Sequence, residues 1–166
     1  MKRSYKIGLI VILQIIFLFS MIGFRYYTLS AGTPVLLKAA PVDPRDVFRG
    51  KYVMLEYDIS WIKSENLDSE DLQNKNVYVV LEKGEKDWNE AGLYLYKPNL
   101  NINQIYIKGK LNYYNSRRNE YHVTYGIESY YVEEGQGREI EQLKNFDAQI
   151  KIDRFGNAVI EKIVIP

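Results

Sequence analysis

PVDPRDVFRGKYVMLEY, from Pro41 to Tyr57, sets a stiff, charged loop directly in front of an alternating apolar segment. Val53, Leu55 and Tyr57 fall on one side of that segment and Met54 and Glu56 on the other, the period of two that marks a half-buried strand. Continued at the same period, Ile59 and Trp61 extend the dry side and Asp58 the wet one. In the loop, Pro44 fixes its own φ, and the Asp43 carboxylate is placed to accept backbone N–H groups just ahead of it. Arg45 and Arg49 are near enough in sequence to pair with Asp43 or Asp46, and Gly50 allows the backbone freedom needed at a strand entry. Two readings stand side by side: a rigid structural turn and a ligand-facing loop.

Downstream the same periodicity recurs. Ile105, Ile107, Leu111 and Tyr113 alternate with Gln104, Lys108, Lys110 and Asn112, and Asn115–Glu120 reads as the turn to a partner strand through Tyr121, Val123 and Tyr125. Ala148, Ile150 and Ile152 form a further strand, and Arg154-Phe155-Gly156-Asn157 reverses the chain, with Gly156 supplying a positive φ. Val77–Leu81 and Leu93–Tyr96 read as short strands. A capped helical turn is expected from Ser64, and a second helix through Arg138 to Phe146. The expected fold is mainly β: a single antiparallel or mixed barrel- or sandwich-like domain with one or two short helices.

Upstream, Ile7–Phe24 is 18 residues without a charge. At about 1.5 Å per residue such a helix covers roughly 27 Å, close to the hydrocarbon thickness of a bilayer. Lys2, Arg3 and Lys6 precede it and only Arg25 stands just after it, so the positive-inside bias places the N-terminus in the cytoplasm and everything after Arg25 outside. Tyr26 and Tyr27 suit the headgroup level. A cleaved signal peptide ending at Leu29-Ser30-Ala31 is the competing reading, and the length of the apolar run favours a retained anchor. The chain thus divides into a cytoplasmic start, anchor and linker over 1–31 and an extracytoplasmic β-domain over 32–166.

Composition narrows the functional classes. Four of the 22 basic residues lie in the first 31 positions with no acid among them, so the rest of the 166-residue chain carries an acidic excess of three. It holds no clustered basic stripe of the kind that reads nucleic acid. The absence of Cys removes disulfides, thiolate nucleophiles and Cys-ligated zinc. The single histidine, His122, alternates onto the polar side of its strand and has no partner His for a metal. No metal or cofactor is expected.

Gly50-Lys51-Tyr52-Val53-Met54-Leu55-Glu56-Tyr57 resembles the signature of the GDYxxLxY proteins. Gly50, Tyr52, Leu55 and Tyr57 match, and Lys51 stands where that signature has Asp. The resemblance takes in the apolar N-terminal segment, the DPRD-x-FRG approach and a second block, Tyr130-Tyr131-Val132-Glu133-Glu134-Gly135-Gln136-Gly137. It implies a membrane-anchored bacterial protein of a family whose genes are often found beside those of multi-pass membrane proteins, and hence an integral membrane partner.

In the second block, Gly135 and Gly137 free a loop that Glu133, Glu134 and Arg138 crowd with charge. Carboxylates there repel an anion, so the loop is a poor phosphate cradle, and its spacing is not that of an EF-hand. The candidate binding residues are Asp43, Arg45, Asp46, Arg49, Gly50, Tyr52 and Tyr57 from the first block. Tyr130, Tyr131, Glu133, Glu134, Gly135, Gly137 and Arg138 come from the second. Tyr113-Tyr114, Tyr130-Tyr131 and Tyr94 with Tyr96 suggest an aromatic surface for a partner. The expected role is a non-enzymatic binding or accessory module. The alternative is a membrane-anchored hydrolase or signal-peptidase-like enzyme using loop carboxylates or a Ser, for which no Ser–Lys constellation can be picked out downstream of the anchor.

Overall fold

The computed structural model describes residues 3–42, 52–63, 72–132, 140, 143 and 145–164. The apolar run forms one continuous helix, α1 (Arg3–Ala31). It has no buried stripe: the side chains from Tyr5 onward are exposed until Thr28, which is buried against the domain. Tyr5–Ala31 is long and apolar enough to cross a membrane. A helix apolar on every side and, from Tyr5 to Tyr27, buried by none of the described residues suits a lipid surround.

Only Gly32 separates α1 from β1 (Thr33–Pro41). The remaining strands are β2 (Tyr52–Tyr57), β3 (Trp61–Ile62), β4 (Asn76–Lys83), β5 (Trp88–Tyr94), β6 (Gln104–Asn115), β7 (Glu120–Thr124), β8 (Ser129–Tyr131), β9 (Phe146–Ile152) and β10 (Ala158–Val164). They build two five-stranded sheets, in the orders β10-β9-β1-β2-β8 and β3-β7-β6-β4-β5. Every pairing among the described strands is antiparallel. The mainly β expectation holds, with antiparallel rather than mixed sheets.

The inner faces of both sheets meet in one core. Val35, Leu37, Leu55 and Ile150 come from the first sheet, and Val79, Ile107, Leu111 and Val123 from the second. The strictness of alternation in β9, where Phe146, Ala148, Ile150 and Ile152 are all buried, is what burial of one sheet face demands. The turn into β10 contains Gly156 at φ 81°, and a Cβ there would collide with the ring of Tyr106. The Gly156 carbonyl accepts from Lys108 N on the part of β6 that β7 does not cover, so the turn closes an otherwise open strand edge.

Three expectations change. The alternation through Ile59 and Trp61 breaks at a 3₁₀ turn, Asp58–Ser60, where the chain crosses from the first sheet to the second. Tyr57 N donates to Ser60 Oγ at 3.3 Å and stabilises that turn. Beyond it Ile62 points inward and Trp61 turns to the outer surface. Tyr113 does not follow Ile107 and Leu111 into the core. A bulge against β7 between Leu111 and Tyr113 inserts one extra residue, Asn112, and turns Tyr113 outward. Phe146 opens β9 rather than ending a helix; of the proposed Arg138–Phe146 helix the described part is helical at Ile140. Most of the helix expected from Ser64 lies outside the described residues.

Candidate functional site

The signature strand β2 presents Val53, Leu55 and Tyr57 to the core and Tyr52, Met54 and Glu56 to the outside. Tyr57, which the sequence reading places in a contact surface, is only 1 % exposed, and its hydroxyl donates to the Ile127 carbonyl at 2.8 Å. Burial pushes its phenol far above the ordinary range, with the Glu128 carboxylate adding to the effect, so the ring stays a neutral donor. Tyr125 is a second buried donor of this kind, bonded to the Ile59 carbonyl. These two tyrosines tie the 3₁₀ crossing and the segment before β8 to the core.

The outer row is different. Tyr52 and Tyr131 are Cα partners in the β2–β8 ladder, and their rings meet edge to face at 5.4 Å while staying 55 % and 57 % exposed. One step along, Met54 Sδ accepts from Ser129 Oγ at 3.4 Å. At the end of the strand, Glu56 Oε1 accepts from Trp61 Nε1 at 2.6 Å and lies 3.8 Å from His122 Nε2. Tyr113 stacks on the His122 ring at 5.0 Å, Trp61 meets the same ring edge to face at 4.7 Å, and the Arg118 guanidinium lies 5.8 Å from the Trp61 ring.

The histidine is held on every side. Asn112 Nδ2 stands 3.2 Å from His122 Nδ1, and Thr124 Oγ1 lies 3.4 Å from both Asn112 Oδ1 and the Lys110 carbonyl. The opposite ring nitrogen, Nε2, faces Glu56. His122 thus orients Glu56 and the two aromatic rings rather than standing open to a substrate. The resulting surface runs from Tyr131 and Tyr52 through Met54 to Glu56, Trp61 and Tyr113. It offers exposed aromatic faces, a thioether and a carboxylate whose second oxygen has no hydrogen bond among the described residues. Tyr, Trp and Met at a partly exposed, hydrogen-bond-anchored surface are the residue types that recur at protein contact sites.

Of the sequence-derived candidates, Tyr52 and Tyr131 lie together on this surface, Tyr130 is partly buried against the core, and Tyr57 lies inside it. Asp43, Arg45, Asp46, Arg49 and Gly50 lie outside the described residues, as do Glu133, Glu134, Gly135, Gly137 and Arg138. The residues flanking both groups do converge. Val42 N donates to the Met54 carbonyl at 2.8 Å, and β8 ends beside the start of β2, so the boundaries of both blocks share one end of the sheet. Glu56, Trp61, Asn112, Arg118 and His122 were not among the candidates. The signal for Glu56, Asn112 and His122 is the polar side of β2, β6 and β7, whereas the sequence reading puts Trp61 on the dry side and Arg118 in a turn; their meeting depends on the crossing between sheets and on the β6 bulge, neither of which has a periodic signature.

No curated protein and no solved structure matches this chain. The sequence does match the family described as GDYXXLXY protein over residues 14–163, a span that takes in both sheets and most of α1. The chain belongs to the GDYXXLXY family.

Proposed function

We propose that this is a single-pass, N-terminus-in membrane protein whose extracytoplasmic β-domain is a non-enzymatic binding module for another integral membrane protein. The observation that carries this reading is the row of exposed aromatic and sulfur side chains on the signature strand itself, joined edge to edge with the second block through Tyr52 and Tyr131. A strand whose outer face served solubility alone would carry charged or small polar residues at these positions.

The direction of β1 bears on the partner. It leaves α1 at Thr33 and ends at Pro41, opposite Leu55, and β2 starts three residues farther out at Tyr52, so the exposed row begins at the end of the sheet remote from the helix. Nine extended residues reach about 26 to 30 Å, so the partner meets the module through a part that projects from the bilayer, such as an ordered external loop or domain, rather than through its membrane helices. The junction supports a retained anchor. Cleavage after Ala31 would remove Thr28, whose hydroxyl donates to buried Asp153 Oδ2 at 2.9 Å.

The test is a photoreactive side chain installed at Tyr52 or Trp61 in the full chain in native membranes. Capture of a membrane protein that is lost in Tyr52→Ala/Trp61→Ala/Tyr131→Ala, while that variant still folds and sediments with membranes, supports the reading. Unchanged co-purification of the same protein by the triple variant sinks it.

A further inference from the structure

The turn between β9 and β10, Asp153–Asn157, is placed by topology at the helix end of the domain. β1 runs away from α1 and β9 runs antiparallel to it, with Ile152 opposite Thr33, so β9 delivers its last residue back to the helix and the turn projects beyond the start of β1. The turn is fastened there. Asp153 Oδ2 accepts from Thr28 Oγ1 in the last turns of α1, while Asp153 Oδ1 accepts from Phe155 N at 2.8 Å and Asn157 N at 3.0 Å. Thr28 lies four residues beyond Phe24, the end of the uncharged run, which is about 6 Å of helix. That is the headgroup zone of a bilayer whose core holds Ile7–Phe24.

What the turn carries suits that zone. Phe155 is 41 % exposed at its tip, and the Arg154 guanidinium lies over the ring at 4.7 Å. The Tyr106 hydroxyl donates to the Arg154 carbonyl at 3.0 Å, Lys97 Nζ stands 5.5 Å from the Tyr106 ring, and the stem of Lys108 lies against Gly156. One exposed cation, Arg154, thus covers the exposed Phe155 ring, and two more, Lys97 and Lys108, stand beside the Tyr106 ring and Gly156 that back the turn, while Asp153 is turned inward onto Thr28 and Asn157. An apolar tip with an Arg over it and Lys at its base is complementary to a surface with a greasy interior and phosphate oxygens above it.

We infer that the β9–β10 turn is a second membrane contact, with Phe155 entering the outer headgroup layer and Arg154, Lys108 and Lys97 meeting anionic lipid phosphates. The inference rests on α1 spanning the membrane. Two attachment points, a helix and a turn bonded to it, hold the domain at one tilt and direct its remote end outward.

The chain has no Cys, so Phe155→Cys gives a single site for an environment-sensitive nitrobenzoxadiazole label, and the substitution leaves the backbone bonds of the turn in place. The labelled full chain is placed in vesicles of phosphatidylcholine with phosphatidylglycerol, with a label at Arg117→Cys in the β6–β7 turn for comparison. A blue-shifted emission at position 155 that lipid-borne quenchers suppress, with a water-like emission at 117, is the expected result. Adding Arg154→Glu to the labelled chain reduces the shift. If the protein floats with the vesicles but position 155 emits as in water, or is quenched by iodide as readily as position 117, the turn does not touch lipid and the inference falls while the anchor stands. If the protein does not float with the vesicles, both fall. A shift equal in size with Arg154→Glu overturns the pairing of that arginine with phosphate.

Discussion

Asp153 is only 5 % exposed and accepts hydrogen bonds from Thr28, Phe155 and Asn157, the last through both backbone and side chain. Burial alone would raise its pKa, but these hydrogen bonds outweigh it, and the carboxyl is held below its ordinary range. A depressed folded-state pKa gives stability that is complete above the unfolded value, about 3.9, and is lost as the pH falls through the folded value. The advantage of the native chain over Asp153→Asn is therefore expected in full at pH 7 and gone in strong acid, as read from unfolding midpoints across pH in detergent. Asp153→Ala leaves two backbone N–H groups without their acceptor and is expected to cost about 1–3 kcal/mol. Tyr57→Phe removes the donor to the Ile127 carbonyl and keeps the ring packing, so a loss of about 1–2 kcal/mol is expected in denaturant unfolding. Tyr57 is half legible from the sequence: its alternation places it on the dry face, but a family signature draws it toward a contact role that its buried hydroxyl contradicts.

Among the elements, the joint between α1 and β1 is the least tolerant of change. Gly32 N donates to the Thr28 carbonyl at 3.0 Å, and a Cβ at Gly32 would stand 2.4 Å from that oxygen and 3.1 Å from Ile152 N. Both are backbone atoms of packed elements, so relief requires the helix to move away from β9. Gly32→Ala is expected to cost about 1–3 kcal/mol in unfolding and to expose the joint to proteolysis, because the same movement pulls Thr28 off Asp153. The strands around this joint are legible in the sequence because each buries one face, and a single buried face imposes a period of two. The 3₁₀ crossing at Asp58–Ser60 and the bulge in β6 are not legible, because each is a one-residue change of phase whose reason lies in a strand distant in sequence.

For the whole molecule, the bond from Thr28 to Asp153 makes the anchor part of the folded domain rather than a tether. The intact mass of the protein recovered from membranes is expected to retain α1, and alkaline carbonate is expected not to release it. A mass beginning after Ala31 would show that the domain works without its helix. Under the proposed topology, rigid attachment would also give the exposed row on β2 a set height above the bilayer, which suits the proposed partner with an external part.

The sequence by itself determined the apolar segment long enough to span a membrane, most of the strands with their turns, and the family. Each depends on a pattern carried by neighbours along the chain: an uncharged run, an alternation, a short signature. Only the tertiary structure decided that the signature strand meets the second block at Tyr52 and Tyr131, that Glu56 gathers Trp61 and His122 across the two sheets, and that the last hairpin returns to the helix. Those meetings depend on strand order and on shifts of phase, and residues tens of positions apart carry no local mark of where the fold will bring them together.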